Sequence, residues 1–170
     1  MSEKEIKQLD LDDDYLEDED TQKDKFLTFH LAAEDYALEI KYVTEIIGIQ
    51  KITEVPEMPE YVKGVINLRG KVIPVIDVRL RFKLPPKEYG DRTCIIVVDI
   101  QSNAIGLIVD EVSEVLSIPE SQVDPPPKTG RGSQSRYIQG IGKMGDAVKI
   151  VLNVEKLLND SEIEEIKEIK

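Results

Sequence analysis

The 170-residue chain has no tryptophan, one cysteine, one histidine and only 5% aromatic residues. Each shortage excludes something. Cys94 alone cannot close an internal disulfide, which fits a reducing compartment and points to a cytoplasmic protein. Together with His30 it falls short of the four soft ligands of a structural zinc site, so neither a metal nor a cofactor is expected. A nucleophilic triad needs a base. His30, the only histidine, lies on the outward phase of a strand whose other phase is Leu27, Phe29 and Leu31, so it reads as a surface residue. Cys94 opens a strongly apolar strand and reads as a small buried hydrophobe. No stretch approaches the roughly 18 apolar residues of a membrane span, and the acidic N-terminus is unlike a signal peptide, so no membrane insertion is expected. Thr129-Gly130-Arg131-Gly132 has neither the spacing of a phosphate loop nor the Lys-Ser/Thr that follows one. Few aromatics and no convergent polar groups speak against a metabolite pocket.

Acid is what the chain has in excess. A net charge of −12 argues against nucleic acid as a partner, which would need basic patches. The excess is concentrated at the start. Residues 1–24 carry eleven acids against Lys4, Lys7 and Lys23, a net of −8. Residues 1–23 have too little apolar surface to offset the entropy of ordering and are expected to form a solvated, disordered tail. The body, at −4, has the charge of an ordinary globular domain.

Short β-type runs dominate that body. Leu27, Phe29 and Leu31 alternate with Thr28 and His30, and Tyr36, Leu38 and Ile40 alternate with Ala37 and Glu39. Thr93–Asp99 and Ala104–Val109 form a second such hairpin across Gln101-Ser102-Asn103. A longer period lies behind these. At an offset of 69, Leu38 meets Leu107, Ile40 meets Val109, Val43 meets Val112 and Glu45 meets Glu114. At an offset of 76, Gly64 meets Gly140, Leu68 meets Met144, Val75 meets Val151 and Asp77 meets Asn153. The segment 128–134 (KTGRGSQ) supplies the seven extra residues as a loop. The expected fold is therefore mainly β. Two small antiparallel barrels are related by an internal repeat, with modules at about 25–84 and 91–158 inside a domain of 24–160. Within each module a second hairpin follows, turned at Arg69-Gly70 in one and at Met144-Gly145-Asp146 in the other. Asp77 and Asn153 then stand where an Asx cap would start a short helix, 78–82 and 154–158. Residues 161–170 have helical spacing and are expected to form a frayed terminal helix.

Asp77 also ends an apolar strand, the place of a phospho-acceptor in a receiver domain. A receiver needs full-length crossover helices, an acidic pair just after its first strand and a lysine after its last; here the acidic run precedes every strand and the strands are too closely spaced for crossover helices, so the cap reading is preferred. With no catalytic constellation left, function must come from a binding surface.

The run 61–77 (YVKGVINLRGKVIPVID), with 106–112 (GLIVDEV) and 137–143 (YIQGIGK), resembles the CheW coupling-protein family of bacterial chemotaxis over about residues 25–158. That resemblance implies two SH3-like barrels with a hydrophobic groove between them. It also implies a non-enzymatic adaptor, monomeric in isolation, whose partners are the regulatory domain of the CheA histidine kinase and the cytoplasmic hairpin tip of methyl-accepting chemoreceptors. It places receptor-binding positions at Val43, Glu45, Gly64 and Arg69, with Asn67 beside them, and leaves the kinase-facing residues unassigned. A related adaptor of a parallel receptor–kinase system carries the same motifs. The residues add one point of their own. Glu45 has a counterpart in Glu114, whereas Arg69 faces glycine at 145, so the Glu–Arg pair is confined to one half of a duplicated scaffold. Arg69 could otherwise simply decorate a turn. Val43, Ile46, Ile47 and Val65 are either core or groove lining.

Overall fold

The computed structural model describes residues 22–126, 136–158 and 162. Residues 1–21 of the expected acidic tail, the loop 128–134 and all of the expected terminal helix except Glu162 lie outside the described residues.

Among the described residues the eight strands of the four expected hairpins form, and three more lie in the stretches that link them. In the first half they are β1 (Lys25–Leu31), β2 (Glu34–Glu39), β3 (Val43–Gly48), β4 (Val62–Leu68) and β5 (Lys71–Asp77). In the second they are β6 (Cys94–Ile100), β7 (Asn103–Val109), β8 (Glu111–Ser117), β9 (Val123–Asp124), β10 (Ile138–Met144) and β11 (Ala147–Leu152). Met144 pairs with Ala147, which shortens the second turn to Gly145-Asp146. Both Asx caps form. Asp77 Oδ1 accepts from the Leu80 amide at 3.3 Å and starts α1 (Val78–Arg81), while Asn153 Oδ1 accepts from Lys156 at 3.2 Å and starts a 3-10 turn, Val154–Lys156.

The repeat extends to the irregularities. The β3–β6 register shifts between Val43 and Glu45, and β1–β8 shifts at the equivalent place, between Phe29 and Leu27. The pairs β4–β5 and β10–β11 shift at Gly64 and Gly140.

The strands form two sheets, ordered β8-β1-β2-β11-β10-β9 and β3-β6-β7-β5-β4. The sheets cross the expected sequence modules 25–84 and 91–158: each half lends its first hairpin to the sheet of the other. β1–β2 lies with β8–β11, and β6–β7 lies with β3–β5. Each exchanged hairpin meets its host along both strands: antiparallel where β1 meets β8 and β6 meets β3, parallel where β2 meets β11 (Ala37 opposite Val151) and β7 meets β5 (Gly106 opposite Val75).

A central core fills the space between the sheets, with Leu27, Phe29 and Leu38 from one and Ile96, Val98 and Leu107 from the other. Phe29, Tyr36, Phe82 and Tyr137 run through it as a row with ring centroids 5.4–5.7 Å apart. Each sheet has a lateral core on its other face. One contains Ile66, Ile73, Val75, Ile95, Val97 and Ile108; the other contains Phe26, Ala37, Ile118 and Val151. Burial on both faces explains why Thr28 and Ala37, which alternate with the central-core residues, are buried as well. Thr28 is satisfied inside the bulge: its hydroxyl donates to the Glu114 carbonyl at 2.8 Å and accepts from the Glu114 amide at 3.2 Å. At the junction of the halves, the buried Arg81 guanidinium lies over Tyr61 and its repeat counterpart Tyr137, 4.3 and 5.1 Å from the ring centroids. It donates to Glu162 at 2.7 Å, and the Tyr61 hydroxyl donates to the same carboxylate at 2.8 Å.

Candidate functional site: a charged bridge between sheet edges

β3 and β4 are the opposite edges of the five-stranded sheet, and the site exists because its curl brings them together. After β3 the chain crosses to β4, where Thr53 and Val65 exchange two backbone hydrogen bonds of 2.9 Å. Gly64 makes the crossing possible. Its φ is +145°, and a Cβ there would lie 2.1 Å from the Thr53 carbonyl oxygen. Of the expected site residues, Gly64 is thus buried beneath the crossing, and Val43 is half-buried against the central core.

Glu45 follows the β3 bulge, and Arg69 opens the β4–β5 turn. The Arg69 Nη2 donates to Glu45 Oε2, tying one edge of the sheet to the other. The two ends of this pair are unequal: the Glu45 side chain is 11% exposed and that of Arg69 67%. The Glu45 side chain therefore works as an anchor, and the Arg69 side chain is left mostly in solvent. Both central residues of the turn have positive φ, +52° at Arg69 and +87° at Gly70, the signature of a type I′ hairpin. Asn67 is exposed, and its Oδ1 accepts from the Gly70 amide at 2.8 Å.

Apolar surface adjoins the bridge. Asn67 is paired with Val72, which is 52% exposed, and Val65 with the half-buried Pro74. Among the residues left open between core and groove, Ile46 is buried, and Ile47 and Val65 are half-buried. Sequence reasoning did not single out Val72; the signal was an apolar residue on the phase opposite to Ile73 and Val75.

The receiver reading of Asp77 fails on geometry. The carboxylate is buried, Oδ1 caps α1, and Oδ2 accepts from the Tyr89 hydroxyl at 2.7 Å. Burial and the neighbouring carboxylate push the Tyr89 hydroxyl far above its ordinary pKa, so it stays a donor. Among the described residues no group of three or more His, Cys, Asp or Glu side chains is placed to hold a metal ion. His30 faces outward as expected and pairs with Asp35, while Cys94 is half-buried rather than fully buried.

Residues 25–162 match the family model for the CheW-like domain. This chain belongs to the CheW family. It is 35% identical over 144 residues to the chemotaxis protein CheW of Klebsiella aerogenes, covering 85% of this chain and 87% of that protein. The Helicobacter pylori CheW is 36% identical, covering 79% and 81%. FrzA of Myxococcus xanthus is 29% identical over 68% of this chain and 73% of its own. The crystal structure of the scaffolding protein TtCheW from Thermoanaerobacter tengcongensis superposes with a TM-score of 0.76 at 38% identity, covering 82% of this chain and 94% of that one. The mainly β, two-sheet architecture is thus that of a CheW scaffold. Among the described residues no helix is long and apolar enough to cross a membrane.

Proposed function

We propose that this CheW-family chain is a non-enzymatic chemotaxis adaptor of the cytoplasm that couples chemoreceptors to the CheA histidine kinase. It acts by recognising both at once, with no covalent step. The receptor-facing surface is the edge-to-edge bridge: Arg69 and Glu45 carry the polar contact, Val43 and the apolar strip at Val65 and Val72 flank it, and Gly64 and Asn67 shape the hairpin. One observation supports this most. The pair occurs in only one copy of the repeat, with a mostly exposed Arg69 side chain held by a mostly buried Glu45 side chain.

Magnitudes separate the roles. An ion pair so exposed on one side contributes about 0–1 kcal/mol to folding, whereas an interface arginine at a hot spot contributes about 2 kcal/mol or more to binding. Arg69→Glu should therefore weaken binding to receptor-containing membranes about thirtyfold, with a melting shift below about 4 °C. The assay is co-sedimentation with those membranes and the CheA regulatory domain. Wild-type protein that carries no kinase domain to the membranes, with its fold confirmed by circular dichroism, sinks the coupling reading.

FrzA, similar over two thirds of the chain, favours a second reading, an adaptor of a parallel receptor–kinase system. Pull-downs from the source cell separate the two by the kinase recovered.

A further inference from the structure

Arg69 breaks a local rule. A type I′ turn favours Asn-Gly at its centre, and a non-glycine residue in the left-handed region costs about 1 kcal/mol. The repeat-related turn avoids that cost by placing Gly145, φ +63°, where Arg69 stands. A side chain that holds the turn closed would offset that cost.

Asn67 has the required geometry. Its Oδ1 accepts from the Gly70 amide, a donor inside the turn that the ladder between Leu68 and Lys71 does not use. This side-chain-to-backbone bond closes the turn from outside and selects its left-handed form. The repeat again supplies the control. The equivalent of Asn67 is Lys143, which has no acceptor and pairs with Asp124 at 3.3 Å. Cap and left-handed arginine therefore occur together in one hairpin and are both missing from the other.

We propose that Asn67 is a positioning residue: it locks the Arg69-Gly70 turn so that the guanidinium stands over Glu45 and faces the partner, and it does not itself touch the partner. The inference rests on the receptor reading of Arg69, yet half of its test is independent of any partner.

The experiment compares Asn67→Ala and Asn67→Asp, the latter keeping the acceptor oxygen, in wild-type and Arg69→Ala backgrounds. Amide exchange at Gly70, followed by NMR, should speed up about fivefold or more in Asn67→Ala, the factor for one lost hydrogen bond. It should stay near the wild-type rate in Asn67→Asp. Unchanged exchange in Asn67→Ala overturns the lock whatever the partner is. Binding to receptor-containing membranes should fall about fivefold in Asn67→Ala and recover in Asn67→Asp. In the Arg69→Ala background, Asn67→Ala should add no further loss. Additive losses, or equal losses in both Asn67 variants, would make Asn67 a direct contact and overturn the proposal. If Arg69→Ala binds as wild type does, the receptor reading fails, and the exchange rates still decide the lock. Arg69→Asn completes the set: it improves the turn, so the melting temperature should hold or rise while binding falls as in Arg69→Ala.

Discussion

Two glycines of the same hairpin carry different burdens, and the difference can be measured. A Cβ on Gly64 would lie 2.1 Å from the Thr53 carbonyl oxygen, and backbone cannot yield as a flexible side chain can. Gly64→Ala must break the Thr53–Val65 bridge or shift the edge strand. A loss of at least about 3 kcal/mol follows from overpacking and left-handed strain together, or roughly 6–12 °C in melting temperature for a domain of this size. Gly70 also has positive φ, but nothing lies within 4 Å of its would-be Cβ. Gly70→Ala should cost only the conformational part, about 1 kcal/mol. Equal melting shifts for the two variants would show that the crossing does not depend on Gly64. At this scale the sequence was legible where a residue's role is local. Asp77 and Asn153 cap, and Arg69-Gly70 turns, because each acts within four residues of itself. The need for glycine at 64 was not legible, since the atom it avoids belongs to a segment eleven residues away whose path depends on the curl of the sheet. The burial of Thr28 was not legible for a related reason: its phase of β1 meets a bulge of β8, which period-two alternation cannot anticipate.

Between elements, the clearest joint is Arg79 on α1 with Asp110, between β7 and β8. Nε and Nη2 donate to the two carboxylate oxygens at 2.8 and 2.9 Å, and Asp110 Oδ2 also accepts from the Ala32 amide in the β1–β2 turn at 3.0 Å. Three elements from both halves meet at one carboxylate. The repeat-related positions, Glu155 and Lys41, carry the opposite charges, and Lys41 pairs with Glu39 at 3.4 Å, so the sequence does not duplicate the joint. Burial alone would raise the Asp110 pKa; the hydrogen bonds from Arg79 and Ala32 and the Arg79 charge outweigh it and hold the carboxyl below 3.8. A carboxylate with a depressed folded-state pKa stabilises the fold fully above the unfolded value and loses that contribution as pH falls through the folded one. The stability gap between wild type and Asp110→Asn, followed by denaturant unfolding, should therefore be constant from pH 7 to about 5 and close progressively below about 4. A gap that stays constant down to pH 3 would mean that the Asp110 charge takes no part in the joint.

At the scale of the molecule, the exchange of hairpins looks like a choice the sequence left open, since β1–β2 and β6–β7 share one pattern and either could pair with either host. The side chains decide it. In the five-stranded sheet, Val97 and Ile108 belong to an apolar lateral core with Ile66 and Ile73. The equivalents in the β1–β2 hairpin are Thr28 and Glu39, and the equivalents of Ile66 and Ile73 in the other host are Gly142 and Lys149. Without exchange, Glu39 and Thr28 would be pressed into the apolar core, at a cost of several kcal/mol for an unpaired buried charge. With it, Glu39 accepts from Gln139 at 2.8 Å, and Thr28 bonds to Glu114. The information was therefore present in the sequence, in the differences between repeats rather than in their likeness, and a search for likeness passes over it. A consequence follows for folding. Fragments 1–88 and 89–170 each carry a complete sequence repeat, yet neither can form a sheet with an all-apolar lateral core from its own strands. Each alone should show no cooperative thermal transition by circular dichroism. Mixed in equal amounts they should recover the β spectrum and a single transition, slowly, because contacts such as Thr28 to Glu114 span 86 residues in the intact chain and become intermolecular. A cooperative melt from either fragment alone would mean that a hairpin can serve its own half after all, and the polar residues at 28 and 39 would no longer explain the exchange.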